Sequence, residues 1–181
     1  MKEIKPPEVR KAIEAFMIEH GASEDIVLPL FVPLKELWQM ISVVQSLKVH
    51  PEGKVGNHTL KVLQNLRVIN KVTLWSALLH DVGKIKVTKE IDGKITAYGH
   101  EKHSKIIAND IFMSDDYFND IYHEALFCIE HHMRIKHLHE MRPEKRKRLM
   151  EHKWFNNLKE LAYADSMGGL GDLTWMEGLN K

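Results

Sequence analysis

Apolar residues recur at helical spacing along most of this chain. Val9, Ile13, Phe16 and Met17 share one face over residues 7–20, and Gly21 ends the pattern. Residues 33–47 repeat it with Leu37, Trp38, Ile41 and Val44. Pro51, Gly53 and Gly56 mark a loop. A third helix follows, with Asn57 as its N-cap and Leu60, Leu63 and Leu66 on its apolar face. A fourth covers 72–80 and stops at Gly83. The period then changes. Residues 87–91 and 94–98 are β-prone and flank Asp92-Gly93, a hairpin signal. Helical spacing returns over 100–112, 116–132, 143–150 and 154–167. Residues 168–171 read as a turn, and 172–181 show no clear pattern. The expected class is all-α, with one small β-hairpin.

Composition narrows the picture. A chain of 181 residues makes one domain, or one domain with an appendage, and buries a core without staples. We divide it into an N-terminal helical extension, 1–50, and a main domain, 51–181. The extension either packs on the core or serves a partner. A net charge of +1 argues against a general polyanion binder. The single cysteine, Cys128, excludes an internal disulfide framework and makes a reducing compartment, the cytoplasm, the expected location. The start, Met1 to Pro7, has no apolar core of a signal peptide. No run approaches the roughly 18 apolar residues of a membrane span, so no membrane partner is expected.

The chemistry concentrates where the fourth helix ends, in Ala77-Leu78-Leu79-His80-Asp81-Val82-Gly83-Lys84. A charged Asp after an apolar run is costly to bury alone, and a metal ion removes that cost. Imidazole beside carboxylate suits divalent zinc, iron or manganese. Two residues cannot hold an ion, and further candidates lie at His58 and Asp165, each bordered by apolar positions. More histidines cluster at His100 and His103, and at His131-His132.

The order His58, His80-Asp81, Asp165 resembles the HD-domain superfamily of metal-dependent phosphohydrolases, over roughly residues 55–167. The resemblance implies an HD-domain helical bundle and a site of His58, His80, Asp81 and Asp165. The intervening histidines resemble the extra ligands of binuclear members. Asp81 would then bridge, with His100 and His132 completing a second position and His131 the rival of His132. The cofactor would be iron, manganese, zinc, cobalt or nickel, as one ion or two. His103 would be a neighbouring support or a substrate contact. Asp81 would be catalytic through its metal, and Lys84 and Arg134 would bind phosphate oxygens. His20, His50, His123, His137, His139 and His152 read as ordinary histidines.

A closer resemblance lies inside that superfamily. Residues 92–102, the Asn57-His58-Thr59 triplet, the Ala164-Asp165 pair and the His132-Met133-Arg134 segment resemble the HD domain of bacterial tRNA nucleotidyltransferases. The chain has no Gly-Ser followed by paired Asp residues of a nucleotide-adding head, so CCA addition is not expected of it. The resemblance implies a phosphomonoesterase or nucleotidase acting on a nucleotide or small phosphate ester. The alternatives are a 2′,3′-cyclic phosphodiesterase on RNA ends and a non-catalytic nucleotide-sensing module. The basic run 142–148 reads as a solvated helix face or a phosphate-backbone contact, and without interleaved aromatics it does not support single-strand stacking. Nucleic-acid binding and oligomeric state stay open.

Overall fold

The computed structural model describes residues 39–180. The helix expected over 7–20 lies outside them. The described chain is helical with one two-stranded hairpin. In chain order it runs α1 Val55–Gln64, α2 Lys71–Leu79, α3 Lys84–Val87, β1 Lys89–Ile91, β2 Lys94–Thr96, α4 His100–Met113, α5 Tyr122–Ile135, α6 Pro143–Met150 and α7 Phe155–Gly168. Short 3-10 turns lie at Asp116–Phe118, Leu138–Glu140 and Thr174–Asn180.

α2 is the axis of the core. Every residue from Val72 to Leu79 is buried, as expected of a helix apolar all round. It starts at a capping box: Asn70 accepts from the Thr73 backbone N–H, and the Thr73 hydroxyl accepts from that of Asn70. α5 and α7 pack against α2, α1 packs on α7, and α4 lies along α5. Trp75, Phe112 and Phe118 form an aromatic knot, with Phe118 4.8 Å from Trp75 and 4.7 Å from Phe112 between ring centroids. That knot corrects the helix expected over 116–132. Phe118 is drawn inward on its own 3-10 turn, capped by Asp115, and α5 begins only at Tyr122.

The hairpin has the expected turn. Asp92 and Gly93 both have positive φ, 50° and 71°, as a type I′ turn needs, and Lys89, Glu90 and Ile91 pair with Thr96, Ile95 and Lys94.

Two further expectations are corrected. Within 33–47, only residues 39–41 of the described part are helical. Val44 instead pairs with Lys54 in an antiparallel bridge, and the Gln45 N–H donates to the Gly53 carbonyl at 2.9 Å. Those bonds open a loop that carries Gln45, His50 and Glu52 toward the helix ends below. Asn57 does not cap α1. The helix begins two residues earlier, and the Asn57 amide donates to the Glu52 carbonyl.

Candidate metal centre

The centre forms where five helices present one end or one turn to a common point. α1 brings His58, the end of α2 brings His80 and Asp81, the start of α4 brings His100, α5 brings His132, and α7 brings Asp165. All six are buried.

Gly83 is what lets α4 come so close. A Cβ there would stand 2.3 Å from the His100 carbonyl oxygen and 2.4 Å from the Ser104 nitrogen. With no Cβ, the Gly83 N–H reaches the Ser104 hydroxyl at 2.9 Å, and His100 reaches Asp81.

Asp81 stands between two groups of ligand atoms. Its Oδ2 lies 3.4 Å from His80 Nε2 and 3.8 Å from His58 Nε2. Its Oδ1 lies 3.0 Å from His100 Nε2 and 3.8 Å from His132 Nε2. Asp165 Oδ1 completes the first group, 2.9 Å from His58 Nε2 and 3.9 Å from His80 Nε2.

The histidine tautomers fit a cation. Nδ1 of His80, His100 and His132 lies 2.8, 2.8 and 2.7 Å from the carbonyls of Ala77, Ala97 and Ile129. A carbonyl only accepts, so each Nδ1 carries the hydrogen and each neutral Nε2 keeps its lone pair. Nε2 of His80 is buried with no hydrogen-bond partner. Nε2 of His100 and His132 face each other at 3.1 Å, an arrangement that needs a proton or a cation between two lone pairs. Bonding of the remote nitrogen is also how metal-binding imidazoles are held. His58, His80 and Asp165 form one set of suitable donors, and Asp81, His100 and His132 another.

The charges follow from this packing. Burial opposes ionisation of Asp81, yet the Lys84 ammonium and the His80 and His100 rings hold its carboxyl well below the usual range. Burial opposes it at Asp165 too, where Lys136 and His58 win. For His58, burial disfavours the cation, but Asp165 and Glu52 raise its pKa to about 9. Burial, with His80 and His100 nearby, pushes His132 well down. Burial alone would lower His100, and contact with Asp81 raises it.

Two ammonium groups border the carboxylates. Lys84 Nζ lies 2.7 Å from Asp81 Oδ2 and also donates to Gln45 Oε1. Lys136 Nζ lies 2.6 Å from Asp165 Oδ2. The centre opens into a cleft of about 820 Å³ lined by Asp81, Lys84, His100, Lys136 and Asp165 on its floor. Val44, Val49, Tyr98 and Leu170 line its walls and are exposed, Tyr98 to 86%.

The structure does not bring every candidate here. His131 lies on a different side of α5 from His132 and packs edge-on against Phe127, 4.6 Å between centroids. Arg134 is exposed and, with His131, lines a separate shallow groove. His103 is exposed and does not line the cleft. The basic run on α6 lies outside it as well. His50, His137 and His139, read as ordinary, all line the cleft. Lys136, Gln45 and Glu52 were not singled out. Lys136 had a signal, since it follows His132 by four and so shares its helix face. Gln45 and Glu52 had none, because a loop places them.

Comparison with known proteins agrees with this geometry. Residues 55–153 match the HD domain family. The match spans His58, His80, Asp81, His100 and His132, and Asp165 lies beyond its end. The multifunctional CCA protein of Actinobacillus pleuropneumoniae is 31% identical over 125 residues, covering 64% of this chain and 29% of that protein. The one from Shewanella frigidimarina is 31% identical over 117 residues, covering 64% and 28%. The chain thus spans under a third of the length of these relatives. No solved structure matches. On the family match and the converging His and Asp side chains, this chain belongs to the HD-domain family.

Proposed function

We propose that the protein is a metal-dependent phosphohydrolase acting on a nucleotide or related phosphate ester, of the phosphomonoesterase or nucleotidase type. The observation that carries the reading is Asp81, whose two oxygens face two separate donor sets at the floor of an open cleft. His58, His80 and Asp165 would hold one divalent ion, and His100 and His132 a second, with Asp81 shared. Ions held there supply Lewis-acid chemistry, lowering the pKa of water toward about 7 and polarising a phosphoryl oxygen.

The chain's own groups do the rest. Lys84 and Lys136 border the carboxylates and face the cleft, so each offers an ammonium to a phosphate oxygen. Gln45 Oε1 accepts a second hydrogen bond from the Lys84 ammonium. Above this charged floor, Val44, Val49, Leu170 and the ring of Tyr98 give an apolar wall. A polar head and an apolar or planar body match a nucleoside phosphate better than a bare inorganic anion.

We place the protein in the cytoplasm, where a free thiol such as the buried Cys128 persists. No helix among the described residues is long and apolar enough to cross a membrane.

The test is phosphate release from mononucleotides, 2′,3′-cyclic nucleotides, dinucleotides and a generic phosphomonoester, with each of manganese, iron, cobalt, nickel and zinc. We expect metal-dependent release from a monoester. Release only from cyclic substrates would move the assignment to a cyclic phosphodiesterase. Hydrolysis of none, with nucleotide binding retained, would leave a sensing module.

A further inference from the structure

The histidines of the centre are not all held alike. His80, His100 and His132 are each fixed by the backbone carbonyl three residues earlier. Nδ1 of His58 instead lies 2.7 Å from Oε1 of Glu52. The approach is close but bent: His58 Nδ1 has no aligned hydrogen bond, and Glu52 Oε2 is buried without a partner. An N–H and a carboxylate oxygen left unsatisfied side by side are complementary, since a small turn of the carboxylate pairs them. The Glu52 side chain is only 1% exposed, so water does not compete for it. His50 Nδ1 donates to the same Oε1 at 2.9 Å and helps to fasten the carboxylate.

We propose that Glu52 is a positioning residue for the metal centre. It keeps the hydrogen of His58 on Nδ1, fixes the ring, and aims Nε2 at Asp165 and Asp81. This rests on the reading of His58 as a ligand. A carboxylate on the remote nitrogen of a ligating imidazole orients the ring and makes it a stronger donor. Glu52 sits in the loop fastened by the Val44–Lys54 bridge, ahead of the family match at residue 55. The support for His58 therefore comes from a segment outside the matched domain.

Proximity alone would allow His50, Glu52 and His58 to hold an ion of their own. The proton count argues against it. With an ion bound beside Asp165, a neutral His58 would give it the single lone pair on Nε2 and keep its hydrogen on Nδ1. An ion on Nδ1 as well would require loss of the second ring proton.

The experiment is zinc affinity and stoichiometry of the full chain, by competition with a chromophoric chelator, for wild type, Glu52→Ala, Glu52→Gln and His50→Ala. Circular dichroism checks folding, and Glu52→Gln, of the same shape, serves if Glu52→Ala does not fold. Glu52→Ala should weaken the tighter site at least tenfold, within the ten- to hundredfold range for such partners. Glu52→Gln, which keeps an accepting oxygen without its charge, should lose less than Glu52→Ala but more than threefold. His50→Ala should stay within threefold, because it loosens the loop but leaves Glu52 on His58. Smaller losses at Glu52, or equal losses at His50 and Glu52, would make Glu52 a loop fastener and overturn the proposal. A third wild-type ion lost in Glu52→Ala would also overturn it. A wild type that binds no zinc would instead count against the metal reading itself.

Discussion

His131 and His132 are one residue apart and so about 100° apart around α5. That rotation puts His132 in the centre and His131 against Phe127. Spacing alone leaves His131 a rival of His132, because each has apolar residues three and four positions before it. Only packing against α2 and α4 decides which is buried. Arg134 was singled out and Lys136 was not, because a guanidinium fork suits phosphate, but Arg134 lies on an exposed face of α5. His58, His80, Asp81 and Asp165 were easier to pick out, since each stands beside residues that must face inward. Placement gives a prediction. His132→Ala should lower metal occupancy and phosphate release at least tenfold, whereas His131→Ala and Arg134→Ala should change either by less than threefold. Metal content by plasma emission and a steady-state assay check this. Equal losses at positions 131 and 132 would mean that α5 is rotated relative to the arrangement described.

At the scale of elements, most helices could be read from spacing, and their departures have local causes. The fully buried α2 gave a strong signal because it has no polar face. The helix expected through 33–47 gives way where backbone bonds to residues 53 and 55 win over apolar periodicity. Such pairing between loop segments leaves no periodic trace, so the loop that brings Gln45, His50 and Glu52 to the site was invisible. Gly83 was visible only as a helix stop. Its larger role is the contact between α3 and the first turn of α4. Gly83→Ala should force α4 away from Asp81, since the added methyl meets backbone atoms rather than a flexible side chain. Overpacking of this kind costs about 1–3 kcal/mol. Chemical denaturation should show that loss, together with weaker metal binding, because His100 moves with α4. A variant with unchanged stability and affinity would contradict the close approach.

Across the whole molecule, the centre gathers the ends and inner faces of helices that come from distant parts of the chain. α1 and α7, far apart in sequence, meet there through His58 and Asp165 at 2.9 Å. An ion binding these groups in the folded chain alone stabilises the fold by about 2.7 kcal/mol at a hundredfold excess over its Kd. Differential scanning calorimetry should therefore show a melting temperature that rises with manganese and falls back with a chelator. No shift would mean that the groups do not act together on one ligand. The most direct measurement is phosphate release from the best monoester substrate as manganese is titrated, in wild type and Asp81→Ala. Asp81 turns one oxygen to each group of histidines, so the account predicts saturable activation in wild type and a loss of at least about a hundredfold in the variant, with helical content unchanged. Full turnover in Asp81→Ala, or turnover in wild type that ignores the metal, would contradict it.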